Sequence, residues 1–580
     1  MTPRASRRLR PEVRALVDRP RADVLVIGAG INGVAIARDL ALNGVDVVLV
    51  DRGDVAAETS AASSRMVHGG VRYLENGEFR LVRESVEERN RLLANAPHHV
   101  KPLPTTIPIR NIFGGVANAP LRFLLGRQPR RQRPRGALLI KTGLWLYDAY
   151  SNAGRAADGT SVPRHRFVGR ARTFEELPDL HPATRFTATY FDAMVSRPER
   201  YAWDLASDAA RTGGLRLATY VEAVGHEGEA VTLRDELTGH EWGVLADVVV
   251  NASGPFTDLT NGALGERTAY MGGTKGSHIV VDNAELLAAC RGREIFFENA
   301  DGRIVLVYPM HGRVIVGTTD IPADASDPVV CTEEEVDYFL ELAAHVFPGI
   351  PVTRAQIVFR YAGIRPLPAA DATEPGRISR DYRVEPGTLP GTALPVLSVV
   401  GGKWTTHRAL GEQVGDRVLA LLGLDRFVAT DALTVGASRG LPRPDDQDAW
   451  VRARLPGVGQ ARGRELLARY GADAIGVAGA EVATKATARR LRTLPAYSVG
   501  ELSHVARTEC VVRLADVALR RTTLAFEGLL TEESVDELAD IVGDALHWSR
   551  RRRRDEVELL VNRLREAHGV DLRRRHSVPR

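Results

Sequence analysis

The chain has 580 residues, 44% of them apolar and 26% charged, and a net charge of +4, the balance of a globular protein with two or more domains and enough core to fold unaided. No apolar run reaches the length of a membrane span, and the basic first 21 residues lack the apolar stretch of a secretory signal. Cys290, Cys331 and Cys510 are few, scattered and odd in number, which points to a reducing compartment and away from a disulfide framework or metal cluster.

Residues 1–21 read as a basic N-terminal tail. Residues 22–51, ADVLVIGAGINGVAIARDLALNGVDVVLVD, then give one strand, a glycine turn, a helix and a second strand that ends in an acid. Gly28 permits the tight turn, Gly30 lets the backbone approach a pyrophosphate, and Gly33 lets the helix pack close on the sheet. Asp51 stands where it would accept from the ribose hydroxyls of an adenosine half and would repel a 2′-phosphate. That leaves FAD or NAD.

The next stretch, through Gly70, is too rich in Ser, Ala and Gly for a stable helix and reads as a loop lining a ligand. Residues 80–93 have helical spacing. Residues 100–149, rich in Pro and Arg, read as surface connection between short apolar pieces. A helix is expected over 201–211 and strands near 215–220 and 230–233. The buried run Val248, Val249, Val250 then enters a second turn, Asn251-Ala252-Ser253-Gly254-Pro255. Strands around 277–281, 304–308 and 314–318 suggest an antiparallel sheet outside the nucleotide fold. A third strand–glycine signal, LPVLSVVGGKWTTHRALGEQV, closes this part and places Gly401-Gly402 between a strand and a helix.

Three returns to one sheet around an antiparallel insertion describe a flavoprotein better than a simple NAD dehydrogenase. The second turn resembles that of flavoproteins with two dinucleotide-binding domains, which implies an α/β Rossmann-like FAD domain and an inserted antiparallel-sheet substrate domain interleaved over residues 22–430. Residues 431–549 read as a separate C-terminal helical domain and 550–580 as a basic amphipathic tail. In that tail Val557, Leu560, Val561 and Leu564 form one apolar face between arginine clusters at 551–554 and 573–575. Such a helix either lies on an anionic membrane or docks on the chain's own helical domain.

Only five lysines stand against 72 arginines, so a surviving lysine in a glycine-rich segment, such as Lys275 or Lys403, is a candidate for a compact ammonium. Both lie in a set of motifs that fall in order along the chain: IGAGINGVAIARDLA, SSRMVHGGVRYLE (63–75), GLWLYD (143–148), KGSHIVV (275–281), VGTTD (316–320), YAGIRPL (361–367), SRDY (379–382), GGKWTTHR (401–408) and RLADVALRRT (513–522). Together, over about residues 22–525, they resemble the FAD-dependent glycerol-3-phosphate dehydrogenase family, of the aerobic, quinone-linked type.

The resemblance implies a secondary alcohol bearing a phosphate dianion, sn-glycerol 3-phosphate, oxidised to dihydroxyacetone phosphate by hydride transfer to flavin N5, with electrons passed to membrane quinone. It implies substrate-binding cations at Arg72, Lys275, Arg365, Arg380 and Lys403, suited to phosphate, with Tyr73 beside them. It implies catalytic roles for His278, Arg365 and Lys403, with His278 as proton acceptor and Lys403 serving either the phosphate or the reduced flavin near N1. Cofactor contacts fall to Gly28, Gly30, Gly33, Asp51, Ser63, Ser64, His68, Gly254 and Gly402, with His68 packing near the flavin ring. No metal and no nucleic acid are expected; a homodimer is compatible, and the location implied is cytoplasmic, peripheral on the inner face of the cell membrane.

The chain departs from the family pattern at Trp404 and at Ser196 and Arg197, where paired acids are usual; the extra positive charge would strengthen phosphate binding or signal another phosphorylated polyol. Three other readings compete: an oxidase using O2, a dehydrogenase of another phosphorylated polyol, and a membrane-surface or nucleic-acid binder with a vestigial flavin fold.

Overall fold

The computed structural model describes residues 9–70, 79–111, 137–151, 162–298, 304–369 and 381–572. The opening strand Arg21–Ile27 is the centre of the first sheet. It pairs in parallel with Val47–Asp51 on one side and Glu241–Asn251 on the other. Leu215–Thr219 and Pro395–Val400 extend the parallel set outward, and Arg383–Thr388 adds an antiparallel edge. These strands read as near-continuous apolar runs because both faces are covered. One face carries the helices Ile31–Leu42, Pro198–Arg211 and His407–Leu422; the other is closed by Pro11–Asp18 and the hairpin Val221–Glu227/Ala230–Asp235.

The second sheet is mostly antiparallel, built on Met271–Val281, Ile304–Met310, Arg313–Gly317 and Ile357–Pro368, as the alternating sequence pattern indicates. Alternation divides its side chains cleanly. Ile279 and Val281 enter the core beneath helix Glu333–Val346, whereas Val280, between them, enters a core shared with the C-terminal helices. Those helices therefore do not fold around a core of their own alone: Leu514, Val517, Phe526 and Leu538 pack with Leu306, Tyr308, Phe359 and Tyr361 of the sheet.

Three expectations are corrected. The described parts of residues 100–149 are not surface connection: Val100–Ile109 is a strand paired along its whole length with Phe186–Val195, and Ala137–Ser151 is a helix, while 112–136 lie outside the described residues. Pro102, Pro104 and Pro108 share parity, so their missing amides lie along one edge and leave that ladder intact. Residues 1–21 are not simply a tail, since Pro11–Asp18 is a helix that buries Val13 and Leu16, and Arg10 bonds Asp235 at 2.9 Å. Nor does the apolar face of the last segment wait for a membrane. Arg550–His568 is a helix whose Leu560 and Leu564 are buried in the shared core, with Val557 and Val561 packed against it. Its Arg552 donates to the Val512 carbonyl at 2.9 Å and its Arg553 pairs with Asp540 and Asp544, while Arg513 reaches Glu556 of this helix.

The helical domain is locked to the nucleotide fold by a buried ion cluster. Arg521 holds Asp54 through both Nη atoms at 2.7 and 2.8 Å, and Arg520 Nε adds a third bond at 2.5 Å. Asp516 takes Arg520 in turn and accepts from the Tyr220 hydroxyl at 2.6 Å. Burial alone pushes the Asp54 carboxyl up, but the two guanidinium groups outweigh it and hold the group at about 2.

Candidate active site

At the nucleotide end, three segments distant in sequence converge where the parallel strands end. Gly28, at φ +105°, brings its backbone so close to Ala252 that an added Cβ would lie 2.7 Å from the Ala252 carbonyl oxygen. A Cβ on Gly33 would fall 1.8 Å from the Gly28 carbonyl oxygen, so helix Ile31–Leu42 can rest on the turn only with glycine there. Gly30 differs: its backbone is ordinary and a Cβ would meet only Ser60 Oγ, at 3.3 Å. Its constraint comes from what must pass over it. The Asp51 carboxylate accepts from Ala29 N at 2.6 Å and Gly53 N at 2.7 Å, which ties the acid to the glycine turn. Burial pushes its pKa up to about 6 against those two bonds. Beside it, Arg52 lies 4.0 Å over the Phe256 ring, next to Gly254 at φ +65°. Gly402, at φ +102°, closes the group, a Cβ there lying 2.6 Å from Asn32 Nδ2 at the start of the first long helix.

The substrate side is a wall of the second sheet faced by residues 59–64. Thr59 Oγ1 donates to the Ile364 carbonyl at 2.8 Å, and Gly363 admits Ala62 where a Cβ would be 2.7 Å away. Ser60 Oγ accepts from Ile31 N at 2.9 Å, so the same segment also reaches the helix N-terminus. His278 stands in this wall with its Nε2 2.8 Å from Ser64 Oγ and its ring stacked at 4.7 Å and 10° on Tyr361 of the neighbouring strand. It crosses Gly317, where a Cβ would be 2.2 Å from the imidazole. Burial, then Arg365 and Arg65, push the His278 pKa down to about 3, so the ring is neutral and keeps a lone pair at neutral pH.

Arg365 extends along the same face, across Gly276, with its guanidinium 2.2 Å from where a Cβ would sit. Its Nη2 donates to Thr318 Oγ1 and the Thr319 carbonyl at 3.0 and 2.9 Å, and its Nη1 pairs with Asp320 at 3.1 Å. Lys403, with a buried ammonium, lies just ahead of helix His407–Leu422. The side-chain polar atoms of Asn32 (Oδ1), Trp404 (Nε1) and Thr406 (Oγ1) are buried in this same region without a hydrogen-bond partner among the described residues. A glycine cradle rimmed by such atoms fits a large polar cofactor.

Lys275 is corrected. It stands three residues from His278 on one strand, and an odd separation puts the two on opposite faces. Its ammonium bonds Glu335 at 2.8 Å and the Val330 carbonyl at 2.7 Å, neutralised by the glutamate that caps helix Glu333–Val346. Arg197 also turns away: its Nη2 donates to the Ala468 carbonyl at 3.0 Å in the helical domain, while Ser196 serves through its carbonyl, accepting from Arg65 at 2.7 Å. The departure at Arg197 therefore belongs to a domain contact. Arg72, Tyr73 and Arg380 lie outside the described residues. Ser63 Oγ takes the Arg65 amide at 3.2 Å, and His68 sits half-buried at the end of the short strand Met66–Val67. Sequence reasoning singled out neither Ser60, one hydroxyl in a loop rich in them, nor Asn32 and Tyr361, which stand inside the motifs IGAGINGVAIARDLA and YAGIRPL.

Comparison with known proteins decides the family. Residues 23–408 match the FAD dependent oxidoreductase family and residues 398–553 the C-terminal domain of alpha-glycerophosphate oxidase. A glycerol-3-phosphate dehydrogenase of Synechocystis is 35% identical over 69% of this chain and 70% of its own length. The chain belongs to the FAD-dependent glycerol-3-phosphate dehydrogenase family. Glycerol-3-phosphate dehydrogenase 2 of Mycobacterium bovis is 30% identical over 91% of this chain and 85% of its own. A glycerol-3-phosphate dehydrogenase from Bacillus halodurans, solved in complex with FAD, shares the fold with a TM-score of 0.73 at 24% identity, covering 95% of each chain. The cofactor of this family member is FAD, which resolves the choice between FAD and NAD left by the glycine fingerprint.

Proposed function

We propose that the enzyme oxidises sn-glycerol 3-phosphate to dihydroxyacetone phosphate and passes the electrons to membrane quinone. The observation that carries this reading is the shared wall of His278 and Arg365: a neutral buried imidazole beside a fixed guanidinium, both on the sheet face that residues 59–64 cover. Bound FAD supplies the hydride acceptor. His278 takes the proton of the C2 hydroxyl, its basicity rising when a phosphate dianion enters beside it. Arg365, held by Thr318, Thr319 and Asp320, offers phosphate a planar fork with its side chain 22% exposed, and Lys403 adds a second cation at a helix start. Glycerol 3-phosphate should bleach the flavin anaerobically with dihydroxyacetone phosphate as product, and free glycerol should barely do so. Equal reduction by both would remove the phosphate site.

The quinone-linked, membrane-peripheral part of the reading is supported by a different surface from the one the sequence suggested. No helix among the described residues is long and apolar enough to cross a membrane. Helix Ala137–Ser151, however, turns Leu138 (52% exposed), Trp145 (65%), Leu146 and Tyr150 outward on one side, with Lys141 beside them. Aromatic and aliphatic side chains so arranged suit the lipid headgroup boundary. On this reading Trp145→Ala with Leu146→Ser lowers sedimentation with anionic liposomes and quinone turnover, and leaves turnover with a soluble dye intact. Unchanged liposome binding would remove this face as the contact.

A further inference from the structure

One buried cluster on the substrate side has no place in the chemistry above. Arg89, Tyr147 and Asp192 come from a helix, a second helix and a strand, Phe79–Asn95, Ala137–Ser151 and Phe186–Val195, and each is at most 1% exposed. Arg89 Nη1 donates to Asp192 Oδ1 at 2.9 Å and to the Tyr147 hydroxyl at 2.8 Å, and that hydroxyl donates to the same carboxylate oxygen at 2.5 Å. Burial keeps the Tyr147 phenol protonated, its pKa raised well above the usual value. A buried ion pair is weak evidence for stability, because apolar side chains of equal volume would pack there at less desolvation cost. Its use lies in what the pair holds.

Both acceptors converge on one backbone amide. Gly69 N donates to Tyr147 Oη and to Asp192 Oδ1, each at 3.1 Å. A Cβ on residue 69 would lie 2.2 Å from Tyr147 Oη and 2.5 Å from Val86 Cγ2, so the loop is pressed against the cluster as closely as glycine allows. The other end of the loop is pinned as well: the Tyr308 hydroxyl donates to the Ser64 carbonyl at 2.6 Å, and Ser64 Oγ meets His278. His68 lies between the two anchors.

We propose that Tyr147, Asp192 and Arg89 are positioning residues for the loop of residues 64–70: by fixing the Gly69 amide they set how Ser64 and His68 stand against His278 and the flavin. The inference rests on the flavin and substrate reading above. Loosening the anchor slows flavin reduction by bound substrate without weakening substrate binding, since among the described residues none of the three bonds Arg365 or Lys403.

The test is anaerobic stopped-flow reduction of the FAD-loaded enzyme by glycerol 3-phosphate, with the rate at saturation and the half-saturating concentration measured per bound flavin. Tyr147→Phe keeps the ring and removes the hydroxyl; losing the neutral bond from the Gly69 amide should slow reduction at saturation by about 3- to 10-fold. The half-saturating concentration should stay within about twofold, as expected when an interaction felt only in the transition state is lost. The bound-flavin absorption band should shift with the rate. Tyr190→Phe, which removes a buried hydroxyl from the neighbouring ring 5.8 Å away, should reduce at the wild-type rate. A wild-type rate in Tyr147→Phe, or a loss confined to half-saturation, overturns the proposal. Should Tyr147→Phe not retain FAD, Gly69→Ala crowds the same contact from the loop side and is read by the same two outcomes. Failure of the functional reading itself shows separately, as wild-type enzyme reduced by dithionite but not by glycerol 3-phosphate.

Discussion

The nucleotide end and the substrate wall of this flavoprotein are built on different principles. At the nucleotide end the constraint is on the backbone: Gly28 needs its positive φ and Gly33 its missing Cβ, and both requirements are met within a few residues of one another. At the substrate wall the constraint is on which way side chains face. His278 and Arg365 share a face because their strands pair in a fixed register, with Thr274 opposite Arg365 and His278 opposite Tyr361. Lys275, in the same short motif as His278, is turned to the other face and spent on Glu335. A local backbone demand leaves its residue type in the sequence. A demand on sidedness leaves only a parity, which has meaning once the register is known.

The largest effects should separate these two kinds of constraint from the ion cluster that holds them together. Asp54→Asn leaves two buried guanidinium groups facing an amide and should cost about 3–5 kcal/mol of stability by denaturant titration. The sign of its pH dependence follows from the lowered pKa: the wild-type contribution is present above the ordinary carboxylate value and is lost as pH falls toward about 2. A loss below about 1 kcal/mol would mean that this cluster is not what locks the helical domain to the nucleotide fold.

Leu564→Ala comes next. If the last helix belongs to the core it shares with the sheet, this change costs about 2–5 kcal/mol. A solvated or lipid-bound helix would tolerate it, and a melt within experimental error of wild type would restore the reading of that segment as a tail.

Within the nucleotide end, Gly33→Ala and Gly30→Val should part company. The first forces a Cβ against the Gly28 carbonyl and should destabilise the apoprotein by about 1–3 kcal/mol. The second has an ordinary backbone and should fold, yet release a colourless protein, because the side chain takes the space of the pyrophosphate. Gly30→Val that stays yellow would show that the cofactor does not cross this turn.

The smallest effect is on pH. Asp51, raised to about 6, accepts from ribose hydroxyls more strongly when ionised, so FAD binds best above that value and more weakly below it. Between about pH 8 and about pH 5 the loss in affinity should be up to about 10-fold, the ceiling for one group that titrates near 6, read by flavin fluorescence on reconstitution. Affinity flat across that range would put the ribose elsewhere.

Legibility followed the same division. The three glycine turns, the central parallel strands and the antiparallel insertion were all readable, because glycine, apolar runs and alternation are local signals. The strand Val100–Ile109 was not, since its three prolines resemble a connection until one sees that they share an edge. The last helix was amphipathic by sequence, but amphipathicity does not say which surface the apolar face meets; the shared core supplied that answer. Arg197 attracted attention as a charge near the substrate and proved to serve the helical domain, 271 residues away in sequence at Ala468. Of the Gly69 anchors only Tyr147 stood in a quoted motif, GLWLYD; that the three side chains meet left no local trace, as they come from separate elements.

The central claim is that Arg365 recognises phosphate on the same wall where His278 takes the proton. It is tested most directly by the ratio of kcat/KM for glycerol 3-phosphate to that for glycerol in Arg365→Ala. The variant should lose about 30- to 150-fold on the phosphorylated substrate, as expected for one charged contact worth about 2–3 kcal/mol, and nothing on glycerol, so the ratio falls by the whole factor. An unchanged ratio, or an equal loss on both substrates, would contradict the assignment.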